Sequence, residues 1–304
     1  MTIDRRLEPL PLLRIGTCSW KYDSWKGLVY DPDRSYRPDD YLADYARHYS
    51  TVEIDQWFWS LFPTGVRLPD PAVSRGYAES VPEDFVFTVK APNALTLTHH
   101  YARQAKGAEE FANRPNAQFL SHALLDQLLA RLRPLGGKLG SLMFQFEYLN
   151  RQKMPSSDAF LEKLHAFFSR APREVPFAIE SRNPNYLGEP FFRLLEEHRV
   201  AFVYLEGYYM PPIREVFERC RPAVADHCVI RLHGPDRKGI EEQAGGTWNR
   251  IVSPQPESIA AAAEIYLANR EHSIRTFVNV NNHFEGSAPL TILRFLERLR
   301  PSIP

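Results

Sequence analysis

The chain has 304 residues, too long for a small disulfide- or metal-stapled domain and suited to two ordinary domains or one barrel-sized unit. Apolar residues make up 44% and charged residues 24%, which supplies a core and argues against wholesale disorder. Lys plus Arg and Asp plus Glu each number 37, so the formal charge is 37 − 37 = 0. A surface built to grip nucleic acid or an anionic membrane would carry excess positive charge.

Cys18, Cys220 and Cys228 are an odd set without CxxC spacing, which argues against a disulfide framework or a Cys-based zinc site and makes the cytoplasm the expected compartment. Glu8, Pro9 and Pro11 interrupt the apolar stretch after Arg5 and Arg6, so no signal peptide is expected. No run approaches the roughly 18 apolar residues of a membrane span.

In chain order, a strand is expected over 13–17, followed by a helix over 37–49 with Tyr41, Leu42, Tyr45 and Ala46 at helical spacing. Asp39 and Asp40 offer that helix a cap and a first-turn acid. Strands over 51–55 and 85–90 come next, then a helix over 117–133 in which Leu recurs at 120, 124, 125, 128, 129 and 132. A strand over 140–146 leads to a helix over 156–169, started by Ser-Ser-Asp and carrying Phe160, Leu164 and Phe167 on one face. A strand over 176–182, a helix over 190–198 and strands over 200–206 and 228–233 follow. A helix over 254–269, a strand over 276–281 and a helix over 288–299 complete the chain.

Strand–helix alternation repeated eight times implies parallel strands with right-handed crossovers. Eight such units in a chain of this length match an α/β fold of the TIM-type (β/α)8 barrel class, one domain over 1–304. An open doubly wound sheet would need edge strands and usually a Gly-rich first turn, and no GxGxxG or GxxxxGK[ST] occurs. Pro outnumbers Gly, 25 to 15, which suggests stiff loops rather than a tether between domains.

Alternation along each strand sorts the interior from the helix-facing side. With Val52 and Ile54 outward, Thr51, Glu53 and Asp55 turn inward. The same test puts Thr88 and Lys90, Gln145, Glu180 and Arg182, Arg231 and His233, and Asn279 and Asn281 inside. The sixth strand is ambiguous, with Tyr204 and Glu206 as its polar candidates. A barrel interior is normally filled by branched apolar residues, and the C-terminal ends of the strands form the catalytic face of this fold. Glu53, Asp55 and Glu180 stand against Lys90, Arg182 and Arg231, so the charges can neutralise one another. Replacing such a network by apolar residues is often neutral or stabilising by about 1–4 kcal/mol, so a ligand site explains it better than stability does. All five tryptophans (Trp20, Trp25, Trp57, Trp59 and Trp248) fall in loops rimming that face. They suit either stacking on a sugar or base, or packing loop against loop.

At these residues the chain resembles the domain of unknown function 72 (YecE-like) family, over about 13–290. The landmarks are Gly16-Thr17-Cys18-Ser19-Trp20, Val52-Glu53-Ile54, Phe87-Thr88-Val89-Lys90-Ala91-Pro92 and Lys138-Leu139-Gly140 with Phe144-Gln145-Phe146. Glu180-Ser181-Arg182-Asn183, Arg231-Leu232-His233-Gly234 and Asn281-Asn282-His283 with Gly286 follow in the same order. The resemblance implies a TIM-type barrel and no settled activity. The family usually has Asn where Asp55 stands and a Pro pair where Glu147-Tyr148 stand, so ligand preference is expected to differ.

Three chemistries fit this pattern. The first is a small-molecule enzyme of acid-base or hydrolytic type, acting on an anionic or sugar-like substrate. Glu53, Glu180 and Lys90 would be catalytic, with Trp20, Asp55, Gln145, Arg182, Arg231, His233, Asn281 and Asn282 binding substrate. Glu53 and Glu180 also invite a glycosidase reading. The second is a metal-dependent phosphodiesterase or nuclease using Glu53, Asp55, Glu180, Glu206, His233 and His283. Three cations on the same face disfavour a divalent ion, and no cofactor is expected. The third is a non-catalytic module that binds a small ligand. Lys90 is expected to be a charged partner of Glu53 and Asp55 rather than a Schiff-base amine, because carboxylates raise a lysine pKa. Cys18 reads better as a small buried residue than as a nucleophile.

Overall fold

The computed structural model describes residues 10–219 and 225–300, so Cys220 lies outside the described residues. Eight parallel strands close into a barrel: β1 (Leu13–Cys18), β2 (Thr51–Ile54), β3 (Val86–Lys90), β4 (Leu139–Phe146), β5 (Phe177–Ser181), β6 (Ala201–Gly207), β7 (His227–Gly234) and β8 (Arg275–Val280). Each pairs with its neighbours in chain order, and β1 pairs with both β2 and β8. Every strand lies within a residue of its expected bounds, so the fold is the α/β TIM-type (β/α)8 barrel. A short antiparallel hairpin, Leu61–Phe62 with Gly65–Val66, stands outside the ring.

Around the ring run α1 (Asp40–Tyr45), α2 (Pro71–Glu79), α3 (His122–Leu132), α4 (Ser157–Phe168), α5 (Glu189–His198), α6 (Ile213–Arg219), α7 (Arg237–Ala244), α8 (Pro256–Glu271), α9 (Asn282–Glu285) and α10 (Ala288–Leu299). Two expected helices shrink. α1 gains no side-chain cap from Asp39, and the Asp40 carboxylate accepts from Arg37 N–H instead. α3 starts at His122 because Leu120 takes a left-handed φ of 52° and Ser121 caps the Leu124 N–H. Among the described residues, no helix is long and apolar enough to cross a membrane.

The outward rows Val52, Ile54, Phe87, Val89, Ile179, Ile230, Val278 and Val280 are fully buried against helix residues such as Leu128, Leu164, Phe191 and Ile292. Each such side chain contributes about 1.5–3 kcal/mol of burial. Inside the ring a second cluster, Met143, Ala178, Ala201, Val203, Val229 and Phe277, plugs the barrel. Phe277 fills the axis so closely that a Cβ on Gly140, across the ring, would lie 2.8 Å from its ring. Gly16 has a comparable constraint: a Cβ there would lie 1.8 Å from the Thr51 carbonyl oxygen and 2.8 Å from the Tyr45 hydroxyl. That hydroxyl accepts from Thr17 N–H at 2.9 Å and donates to Thr51 O at 3.1 Å, tying α1 to β1 and β2.

The ambiguous sixth strand resolves against its polar candidates. Val203 faces the axis, while Tyr204 packs outward on Phe202 and Phe217. Glu206 accepts from Ile213 N–H at 2.9 Å and Ser258 Oγ at 3.0 Å. It braces the helix layer and is not a ligand in the barrel mouth.

Candidate functional site

One strand step beyond the apolar plug, the interior becomes polar. Register pairs Arg231 with Asn279 and Gln145 with Glu180, so four strands deliver these side chains to one level. Arg231 is the centre of this layer and is 2% exposed. Its Nε and Nη2 donate to Glu53 Oε2 and Oε1 at 2.8 and 2.7 Å. Its Nη1 donates to Glu180 Oε2 and, at 3.3 Å, to Gln145 Oε1. Arg182 Nε donates to the other Glu180 oxygen at 3.1 Å. Asn279 Nδ2 donates to Glu53 Oε2 at 3.3 Å and Thr88 Oγ1 at 2.8 Å.

This chain of ion pairs sets the charge states. Burial alone would raise Glu180, but Arg231, Arg182 and Lys90 outweigh it and hold its carboxyl below the ordinary value. Burial likewise pulls Arg231 down, and the two carboxylates more than reverse the pull. Both glutamates expected to act as working acid and base are thus engaged by a buried guanidinium.

Lys90 has the reverse situation. It is 9% exposed, and its Nζ lies 3.9 Å from the centroid of the Phe58 ring. Among the described residues Lys90 joins no ion pair, and its Nζ is not one of the buried polar atoms sealed off without a partner. The nitrogen therefore opens to the mouth. Burial, then the Arg231 charge, lowers its pKa to about 8 against the opposing pull of Glu53, Glu180 and Asp55. The expected upward shift is corrected here. Both Glu53 oxygens are held by Arg231, so that carboxylate is already engaged. Asp55 is pushed up by burial and by the Glu53 charge.

Cys18 Sγ lies 3.5 Å from His233 Nε2 and 3.6 Å from Glu53 Oε2. The other nitrogen of His233 meets the Tyr208 hydroxyl at 3.2 Å, and the Arg182 guanidinium lies 4.6 Å from the Tyr208 ring centroid. Tyr208 reaches this position through a left-handed φ of 56°, costly for a residue with a Cβ. Burial, then Glu53, raises the Cys18 thiol well above its ordinary value. Burial, then Arg231, drives His233 far down. At neutral pH the pair is a thiol beside a neutral imidazole. The ligand atoms of Cys18, Glu53 and His233 lie within 4.8 Å of one another and could hold a cation. A metal ion there would have to displace the Arg231 guanidinium from Glu53.

Of the expected site residues, Glu53, Gln145, Glu180, Arg182 and Arg231 form one bonded network, and His233 and Lys90 border it. Trp20 is set apart: its indole is 1% exposed and packs edge-on against Tyr77. It lines a lateral cavity of about 830 Å³ with Trp57 and Gln56. Trp25 is fully buried, whereas Trp59 is 63% exposed. Asn281 caps α9 by accepting from His283 N–H at 3.0 Å, and Asn282 Oδ1 accepts from Ala288 N–H at 2.9 Å. Both therefore brace the last loop. His283 Nε2 meets Glu241 Oε1 at 2.8 Å and ties α7, within the 234–250 segment, to α9.

Asn279, Thr88, Phe58 and Tyr208 were not among the expected site residues. Parity placed Asn279 and Thr88 inward, and that was the available signal. Phe58 and Tyr208 sit in loops, where no periodicity applies. Beside Arg182, a second cavity of about 520 Å³ is lined by Glu147, Tyr148, Pro184, Tyr208, Tyr209 and Met210.

The family model described as "Protein of unknown function DUF72" matches residues 14–303. A DUF72 family protein of Thermotoga maritima is similar in structure, with a TM-score of 0.62 at 20% identity, over 95% of this chain and 99% of that one. A DUF72 family protein of Enterococcus faecalis gives 0.62 at 20% identity, over 96% and 97%. At such identities the likeness shows the fold. No curated protein matches.

Proposed function

The chain belongs to the family of proteins of unknown function DUF72, and from that premise we propose that its barrel mouth binds and transforms a small anionic molecule by acid-base chemistry. Lys90 is the working group in this reading. Glu53 and Glu180 set its electrostatics through Arg231, and Arg182 offers its remaining guanidinium donors to the ligand's charge. The observation that carries the reading is the Lys90 ammonium. It stands without an ion pair on an aromatic face beside a network whose other charges are matched. A general acid or base works best with a pKa near the operating pH, and about 8 meets that condition.

The neighbouring 520 Å³ cavity, with Tyr148 61% and Tyr209 97% exposed, gives room for the rest of a small molecule. A metal-centred phosphodiesterase fits less well, because Arg231 already occupies both oxygens of Glu53. A purely binding role predicts affinity without turnover.

The test is titration calorimetry with inorganic phosphate, followed by a turnover screen of carboxylated and phosphorylated metabolites, on the wild type and Lys90→Met. The reading expects phosphate affinity at least about tenfold weaker in the variant, roughly the strength of one charge-assisted hydrogen bond, and turnover lost. Equal phosphate binding in a folded Lys90→Met protein would remove Lys90 from the site.

A further inference from the structure

We propose that Lys90 captures its substrate covalently, forming an imine with the carbonyl carbon of a small oxo acid whose carboxylate rests on Arg182. The inference rests on the barrel mouth being a small-molecule site and goes further by naming the substrate class and the bond formed.

Imine formation needs a nucleophilic amine, so the nitrogen must shed its proton easily, lack a fixed ion-pair partner and face open space. Lys90 meets all three. Its stem is buried at the end of β3, its Nζ contacts the Phe58 ring, and among the described residues it joins no ion pair. Two acids that would otherwise pin it are engaged elsewhere: Glu53 by Nε and Nη2 of Arg231, and Glu180 by Arg231 Nη1 and Arg182. The buried Arg231 thereby does two things to Lys90. It engages Glu53 and Glu180 and adds a like charge that favours the neutral amine against the remaining pull of the carboxylates.

The carboxylate half of the substrate follows from Arg182. Its Nε is committed to Glu180, while its side chain stays 28% exposed and lines the open cavity beside Tyr208. Lys90 ends β3 and Arg182 follows β5, with β4 alone between them on the same rim, so one molecule at the mouth can address both cations.

The step balances without a co-reactant. The Lys90 lone pair forms the C–N bond, and the carbonyl π pair moves to oxygen, which takes one of the two amine protons to give a carbinolamine. A second proton on the hydroxyl expels water and leaves an iminium, whose remaining nitrogen proton returns to the acid that supplied it to give C=N. Asp55 is the acid we assign to that second proton: Ile54 pairs with Val89, so Asp55 and Lys90 follow side by side at the ends of β2 and β3, and burial and the Glu53 charge raise its carboxyl.

The experiment incubates the full chain with pyruvate at pH 8, reduces with sodium cyanoborohydride, and maps adducts by peptide mass spectrometry. A parallel arm uses acetaldehyde. At that pH a lysine of pKa about 8 is neutral roughly 100-fold more often than an ordinary one. The expected result is a carboxyethyl group on Lys90 formed about 100-fold faster than on Lys238, which is 88% exposed in its side chain. The adduct should be absent from Lys90→Arg and weaker with Arg182→Ala. Pyruvate labelling of Lys90 no faster than of Lys238 overturns the proposal. Labelling by acetaldehyde but not pyruvate overturns the oxo-acid class. Phosphate binding that is lost in Lys90→Met, together with no trapped adduct, overturns the imine while leaving the acid-base reading standing. Neither binding nor trapping removes both.

Discussion

Replacing Arg231 by Met roughly keeps the volume of the side chain but strands Glu53 in the barrel interior and leaves Glu180 with Arg182 alone. Glu53 is 0% and Glu180 1% exposed, and the substitution deletes the bidentate pair to Glu53 together with the bond to Glu180. Removing one partner of a buried pair costs about 3–5 kcal/mol, far more than the intact pair contributes over an apolar replacement. The loss should depend on pH. In the wild type Glu180 is held below its ordinary value, so its contribution is present above the unfolded pKa and is lost as pH falls through the folded one. In the variant, Glu180 loses the largest charge that opposes its burial, so the penalty is largest at neutral pH and eases as acid neutralises the interior. Urea unfolding followed by the buried Trp20 and Trp25 should show a gap of about 3–5 kcal/mol at pH 7 that narrows by pH 5. The triple variant Glu53→Gln, Glu180→Gln, Arg231→Met should recover most of it. A loss under about 1 kcal/mol, or one equal at pH 7 and pH 5, would refute the account of a buried keystone.

Lys90 gives a pH dependence of the same sign in an alkaline window. Its folded pKa of about 8 lies below the usual 10.5, so the unfolded chain holds more protons between those values and stability should rise with pH across that window. The contribution is on the order of 3 kcal/mol and should be absent from Lys90→Met, so the difference between wild type and variant should change across that window; parallel curves would count against it. Gly16→Ala would drive a Cβ into the Thr51 carbonyl, and overpacking of this kind costs about 1–3 kcal/mol or more. An unchanged melting temperature would show that β1 and β2 can part without loss. Cys18, buried and held as a thiol, should stay unmodified by iodoacetamide at pH 7.5 in the native state, and rapid alkylation mapped to it would contradict the geometry.

The strands were legible because each is a short β-branched or aromatic run, and parity followed because helix-facing positions must be apolar. Val52 and Ile54 fixed Glu53 inward; Ile230 and Leu232 fixed Arg231. That logic failed on β6, where Val203 and Leu205 are as apolar as Phe202 and Tyr204 and nothing in the row declares its side. It also gave no signal for α2, α6 and α7. α2 buries only Ser74 and α7 only Ile240 and Ala244, so neither carries an apolar stripe. The three-against-three charge balance was visible, but its partition was not. Composition cannot tell that Arg231 takes two carboxylates and leaves Lys90 with none, because that depends on side-chain reach across the ring. The tryptophan loops were ambiguous for the same reason: Trp25 is sealed and Trp59 bare, although both sit just beyond strand ends.

Pairing of β1 with β8 leaves the ring of staves with no bare rim. Excising any one stave would create two rims at once, each a ladder of unanswered amide and carbonyl groups flanked by a greasy wall. Fragments of this chain that omit even a single strand should therefore clump rather than persist as smaller soluble pieces, and limited digestion should yield nicked rings, not shorter ones.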